Sequence, residues 1–161
     1  MAHMEANVQI RPATASDEEF ILSLAPRLVE FGVPAWRDSA QMIATDRQVL
    51  RDKLREQPQG SAIFIAEDER GVALGLIHLQ PGADYYHREP HGHIADLIVA
   101  AAGEGRGVGR RLMAAAEEWA RARGFGWLTL SVFADNRRAR ELYTRLGFGE
   151  DIIKYVKPLD S

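Results

Sequence analysis

From Gly103 to Gly109 the chain reads Gly-Glu-Gly-Arg-Gly-Val-Gly. Glycine at every second position lets backbone N–H groups converge on an anion, and a helix opening at the same point adds the positive end of its dipole. The chemistry served by such a turn is the holding of a phosphate or pyrophosphate. A Walker loop is disfavoured, because Arg110-Arg111 stands where Lys-Ser or Lys-Thr would follow the last glycine. A dinucleotide fingerprint fits poorly, since the turn comes late, after a hairpin, and not in an opening βαβ unit. The surrounding charge suits a polyanion: from Glu104 to Arg145 nine arginines meet five acids, which gives this stretch +4 and the rest of the chain -7. A solvated, arginine-rich helix face accounts for part of that excess.

Other side chains capable of chemistry are sparser. Trp36, Tyr85 and Tyr86 fall in connections between apolar segments and Phe31 ends a helical pattern; each aromatic suits a packed core as well as a binding surface. His87, His91 and His93 share one loop without clear acidic partners to orient them, so no metal site is expected. Cysteine is absent, which excludes a disulfide framework, a thiolate zinc site and a cysteine nucleophile, and fits a reducing, cytoplasmic setting. A net charge of -3 and a pI near 6.0 provide no global basic field, so no nucleic-acid partner is expected. No apolar run approaches the ~20 residues of a spanning helix, and no basic-then-apolar leader opens the chain, so no membrane partner is expected. Met1–Met4, with a second Met directly after His3, reads as a cloning remnant.

The elements that must position these residues follow from periodicity. Val8 and Ile10, stopped by Pro12, predict a first strand. A helix from Asp17 carries Phe20, Leu24, Leu28 and Phe31 at helical spacing, and a second from near Asp38 or Ser39 carries Met42, Ile43, Val49, Leu50 and Leu54 before Pro58. Residues 61–67 and 72–80 form an antiparallel hairpin about a polar turn. A long connection, Pro81 to Gly92, leads to a fourth strand over 93–99. After the glycine turn comes a helix with Leu112, Met113, Ala116, Trp119 and Ala120 on one face, closed by Gly124. A strand over 127–133, a helix capped by Asn136 and ended by Gly147, and a last strand over 152–156 complete the order. That order predicts one α/β domain over residues 5–161, a mixed sheet flanked by helices. At 161 residues the chain is long enough for one well-buried core.

With those elements in place, the sequence resembles the GNAT superfamily of acyl-CoA-dependent N-acyltransferases. The strand Asp96-Leu97-Ile98-Val99 leading to Glu104-Gly105-Arg106-Gly107-Val108-Gly109 is similar to the family's cofactor motif. Asn136, Ala139, Leu142-Tyr143 and Gly147-Phe148 match its second motif at unbroken spacing. Two motifs in the right order, with the element order, extend the resemblance from Val8 to Val156.

The resemblance implies a mostly antiparallel, twisted sheet with acyl-CoA bound in a cleft beside the fourth strand. It implies that the pantetheine arm runs along Leu97, Ile98 and Val99, and that the pyrophosphate rests on Glu104, Gly105, Arg106, Gly107, Val108 and Gly109, with Arg110 or Arg111 adding charge. Asn136 would orient the cofactor or its own helix. Tyr143 would bind the cofactor and protonate the departing thiolate, and a backbone N–H near Ile98 or Val99 would hold the oxyanion. Phe31, Trp36, Tyr85 and Tyr86 would shape the acceptor groove. The family usually has Arg or Gln at the position of Glu104, whose carboxylate repels a pyrophosphate unless it points away or Arg106 offsets it. Many members carry a Glu base where this chain has Ala95. Asp96 is adjacent, but strict alternation turns it to the other face unless a bulge intervenes; His78, His93, Glu67 or a water are the alternatives.

The activity implied is acetyl transfer from acetyl-CoA, as cosubstrate, to a primary amine, by direct attack in a ternary complex. A small-molecule acceptor is favoured, and a homodimer is expected by family analogy. Alternatives are a catalytically weak acyl-CoA-binding module, a peptide or protein N-acetyltransferase and, more remotely, a nucleotide-binding protein.

Overall fold

Cross-strand pairing runs deepest at the centre of the sheet, where every residue from Leu74 to Leu79 is buried. The computed structural model describes residues 7–159, so the proposed remnant at Met1–Met4 lies outside the described residues. Five strands, β1 (Gln9–Pro12), β2 (Ala62–Glu67), β3 (Ala73–Gly82), β4 (His91–Val99) and β5 (Leu128–Leu130), lie side by side in sequence order. Neighbours are antiparallel except β4 and β5, which are parallel. Four helices flank the sheet: α1 (Glu18–Ser23), α2 (Ser39–Glu56), α3 (Val108–Ala122) and α4 (Arg137–Arg145). Among the described residues no helix is long and apolar enough to cross a membrane.

Period-two alternation splits the core between the two faces of the sheet. Ile65, Leu76 and Ile98 pack with Ile21, Leu24, Leu50 and Leu54 of the α1 and α2 layer. Ala66, Ile77 and Ile94 pack with Val108, Leu112 and Trp119 of α3. At the head of the α1 layer, Arg11 donates to both Asp17 carboxylate oxygens at 2.8 Å and through Nε to Glu67 at 2.8 Å. Those bonds hold the Asp17 carboxyl below the usual range. Asp38 caps α2 by accepting from the Ala40 and Gln41 N–H groups, and Asn136 caps α4 by accepting from the Ala139 N–H.

Three elements differ from the sequence expectation. The helix expected from Asp17 through Phe31 is only six residues of α1, followed by a 3-10 turn, Ala25–Val29, because Pro26 has no N–H to continue the ladder. The strand expected over 127–133 pairs only at Leu128–Leu130. The strand expected over 152–156 does not form, and Ile152 and Tyr155 are exposed. An apolar alternating segment becomes a strand only beside a partner backbone, and the three residues of β5 offer little edge to pair with.

The register of β4 creates the cleft. β5 pairs with Gly92, His93 and Ile94 and goes no further. On the other side of β4, His78 pairs with Asp96 while the next residue, Leu79, pairs with Ile94, which leaves Ala95 as a one-residue bulge. Beyond it the two parallel strands part, and the β5-side edge of Asp96–Val99 has no strand partner among the described residues.

Candidate active site

Beside that free edge lies a cleft of about 1190 Å³. It exceeds the ~300–1000 Å³ typical of a site for one small ligand. Its walls come from β4, the glycine turn, the first turn of α3, the segment after β5, α4, and the connection between α1 and α2.

The backbone of β4 sets what its edge can bond. The Ala100 N–H donates to the Leu74 carbonyl at 2.8 Å. Alternation therefore directs the N–H and C=O of Ile98 toward β3, and those of Leu97 and Val99 toward the cleft. The Val99 carbonyl accordingly accepts from Arg27 Nε at 2.7 Å, and the Val99 N–H remains for another acceptor.

At the next turn, Gly105 and Gly107 adopt φ of 72° and 74°, left-handed values that L side chains rarely take. Gly107 is the N-cap of α3, so the first-turn N–H groups of Val108, Gly109 and Arg110 have no preceding carbonyl in the helix to bond. Glu104, Gly105, Gly107, Val108, Gly109 and Arg110 all border the cleft. Arg106 does not; its guanidinium turns back toward the Ala102 carbonyl. The expected repulsion from Glu104 is offset instead by Arg27, which pairs with its carboxylate, and by Arg138 at 3.9 Å.

The bulge decides the orientation of Asp96. Ile94 packs on the α3 side, whereas Ile98, four residues on, packs on the α1 and α2 side, as only an inserted residue permits. Asp96 shares the face of its partner His78 and borders the cleft. His78 Nδ1 lies 3.2 Å from Asp96 Oδ2. The other candidate bases lie elsewhere. Glu67 is engaged by Arg11, His93 is hydrogen-bonded to Thr129 at 2.8 Å, and His78 itself is buried without bordering the cleft.

Asp46 from α2 and Tyr143 from α4 border the same cleft, near enough for the charge of Asp96 to act on both. Asp46 stands one turn before Leu50 and two before Leu54, on the stripe of α2 that meets the sheet. Burial pushes its carboxyl up, and the charge of Asp96 adds to the effect. Burial likewise raises the Tyr143 phenol above its usual range, again with help from Asp96, so the phenol keeps its proton at neutral pH. Burial lowers the affinity of His93 for a proton.

At the acceptor end, Phe31 stacks on Phe133 with centroids 5.4 Å apart, and the Arg37 guanidinium lies 5.0 Å from the Phe133 ring. Phe31 and Trp36 border the cleft, as does Asn136. Tyr85 and Tyr86 do not. They are 95% and 88% exposed at the tip of the β3–β4 connection, packed edge to face on each other, too far along the hairpin to line the groove. Asp46, Arg27 and Phe133 are site residues that the sequence alone does not single out. A carboxylate on the apolar stripe of α2 is a readable signal for Asp46, while Arg27 and Phe133 have none beyond residue type. Among the described residues, no group of three His, Asp or Glu side chains is placed to hold a metal.

The family model described as the acetyltransferase (GNAT) family matches residues 26–148. The chain is 31% identical over 144 residues to the Bacillus subtilis (strain 168) protein named "Uncharacterized N-acetyltransferase YhfO", covering 89% of this chain and 91% of the relative. It is 28% identical to the aminoalkylphosphonate N-acetyltransferase of Salmonella typhimurium, over 94% of this chain and 91% of that protein. A solved structure of the aminoglycoside N-acetyltransferase AAC(6')-Iy in complex with CoA superposes with a TM-score of 0.68 at 23% identity, covering 99% of this chain and all of the other.

Proposed function

Because the chain belongs to the GNAT acetyltransferase family and is an acetyl-CoA-dependent acyltransferase, we propose that it acetylates a primary amine of a small molecule by direct attack within a ternary complex. The observation that carries this reading is the junction of three features in one cleft. These are an open β4 edge, a row of unbonded N–H groups at the start of α3, and a carboxylate facing a protonated phenol.

The cosubstrate supplies the acetyl group as an activated thioester. In this reading the free edge at Leu97 pairs with an amide of the pantetheine arm, and the N–H groups of Gly105 and of Gly107 to Arg110 take the pyrophosphate, joined by the positive end of α3. Arg110 and Asn136 border the same space. The two departures from the family pattern are met locally, Glu104 by Arg27 and Ala95 by the bulge that presents Asp96.

Asp96 removes the proton from the acceptor ammonium, the neutral nitrogen bonds to the acetyl carbon, and the Val99 N–H faces the oxygen on which charge develops. The carbon–sulfur bond then breaks and Tyr143 gives its proton to the thiolate. Two protons leave nitrogen, one to Asp96 before attack and one to water from the tetrahedral intermediate, and one reaches sulfur from Tyr143; the phenolate and the protonated Asp96 return to their starting forms by exchange with water, with one proton released overall. Phe31, Trp36 and Phe133 enclose the acceptor, and Asp46 supplies a second negative charge beside its cation. The Salmonella and aminoglycoside enzymes, whose names specify small amines, support a small-molecule acceptor here. The absence of cysteine supports a cytoplasmic setting, and the exposed apolar side chains of Ile152, Ile153 and Tyr155 support a homodimer.

The test is a calorimetric titration with acetyl-CoA, with CoA and ATP as controls, followed by thiol release with a panel of amines. Saturable acetyl-CoA binding and turnover with one of the amines support the reading. A folded protein that binds acetyl-CoA without turning over any amine supports the weak binding module instead.

A further inference from the structure

Packing does not explain His78. It lies in the middle of β3, 1% exposed, on the face of the sheet that carries Leu76 and Ile98, beneath α1 and α2. Every neighbouring position of β3 from Leu74 to Leu79 is apolar or glycine, so a leucine would suit the site. The imidazole makes one hydrogen bond, from Nδ1 to Asp96 Oδ2 at 3.2 Å, and its Nε2 is buried without a partner. An unpaired polar atom in an apolar interior is a standing cost that an aliphatic side chain would not bear, so the single bond to Asp96 is what the histidine contributes.

The direction of that bond follows from the partners. An ionised carboxylate only accepts, so a hydrogen sits on Nδ1 and the ring donates. Nε2 has no acceptor within reach, so no second partner draws the ring away from Asp96.

We propose that His78 is a positioning residue for acetyl transfer, fixing Asp96 through Oδ2 so that Oδ1 faces the cleft. The proposal rests on the reading of Asp96 as the proton acceptor. Asp96 is faced by Asp46 from α2, Tyr143 from α4, His93 on its own strand and His78 from β3. The His78 N–H is the hydrogen-bond donor that reaches Asp96 from β3. His78 does not border the cleft and touches neither substrate.

The experiment has a structural arm and a kinetic arm. Nitrogen-15 NMR of the histidine-labelled wild-type protein should report a proton on Nδ1 of His78; an Nε2–H tautomer overturns the proposal whatever the activity. In thiol-release kinetics with acetyl-CoA and amines including an aminoalkylphosphonate and an aminoglycoside, His78→Leu should lower kcat about tenfold, the worth of one hydrogen bond to a charged group. It should leave KM for acetyl-CoA unchanged. His78→Asn, whose side-chain N–H reaches the Nδ1 position, should recover most of the lost kcat. A folded His78→Leu protein with wild-type kcat, alongside an impaired Asp96→Asn protein, overturns the proposal alone. Wild-type turnover by Asp96→Asn overturns the reading of the base and this proposal with it.

Discussion

Glu104, at the mouth of the anion-binding turn, is paired with Arg27, which lies 77 positions earlier and also donates to the Val99 carbonyl. One guanidinium therefore neutralises the acid beside the glycine turn and satisfies one carbonyl of the free edge of β4. Arg27→Ala should raise KM for acetyl-CoA about tenfold by leaving a carboxylate beside the incoming pyrophosphate. Arg27→Ala combined with Glu104→Ala should recover most of that loss. Steady-state kinetics on the two variants and on Glu104→Ala close the cycle; no recovery in the double variant would show that Arg27 acts on the cosubstrate directly.

Tyr143→Phe should lower kcat about a hundredfold while KM for acetyl-CoA changes little, because the ring still packs against Phe148 and only the proton donor is lost. Since burial raises the phenol, the wild-type rate should not fall through loss of the Tyr143 proton until above the ordinary tyrosine range. A pH profile of kcat for both proteins checks this. A Tyr143→Phe enzyme with wild-type turnover would remove the residue from the mechanism.

The acceptor end separates two groups of aromatics that share the same sequence signature. Phe31→Ala and Trp36→Ala should raise KM for the amine about fivefold to tenfold without altering KM for acetyl-CoA. Tyr85→Ala and Tyr86→Ala should leave both constants within about twofold, since the rings stand in solvent. Kinetics with the amine varied at saturating acetyl-CoA distinguish the groups.

Asp17→Asn should destabilise the fold by about 2 kcal/mol at pH 7, by weakening a largely buried carboxylate that takes two hydrogen bonds from Arg11. The carboxyl of Asp17 is depressed in the folded state, so its contribution is fully present above the unfolded value near 4 and is lost as the pH falls through the folded value. Urea unfolding at pH 7 and at successively lower pH should show the difference between wild type and variant shrinking in that acid window. A difference that grows on acidification contradicts the assignment.

The parts legible in the sequence were those with a local physical signature. Glycine at every second position marked the anion-binding turn, and apolar spacing placed α2 and α3 and the hairpin of β2 and β3. Asn136 and Tyr143, read from a resemblance, border one cleft. What escaped depends on distant partners. Ile152 to Val156 has the pattern of a strand and no neighbour to pair with; Arg27 meets Glu104 only through the fold; and the tip of a hairpin carries Tyr85 and Tyr86 away from the groove. The face taken by Asp96 is open in the sequence, because alternation alone gives the opposite answer and a bulge leaves no mark in residue type.

Ala95 places the two ends of β4 in opposite phase, and its side chain is exposed and takes no part in the core. Removing its codon would set Asp96 directly after Ile94, opposite His78, in an unbroken ladder with both side chains on their present faces. Removing a paired residue such as Leu97 would instead turn Ile98 toward α3 and out of contact with α1 and α2. A change in the length of this strand is therefore harmless to its facing pattern at Ala95 and disruptive on either side of it.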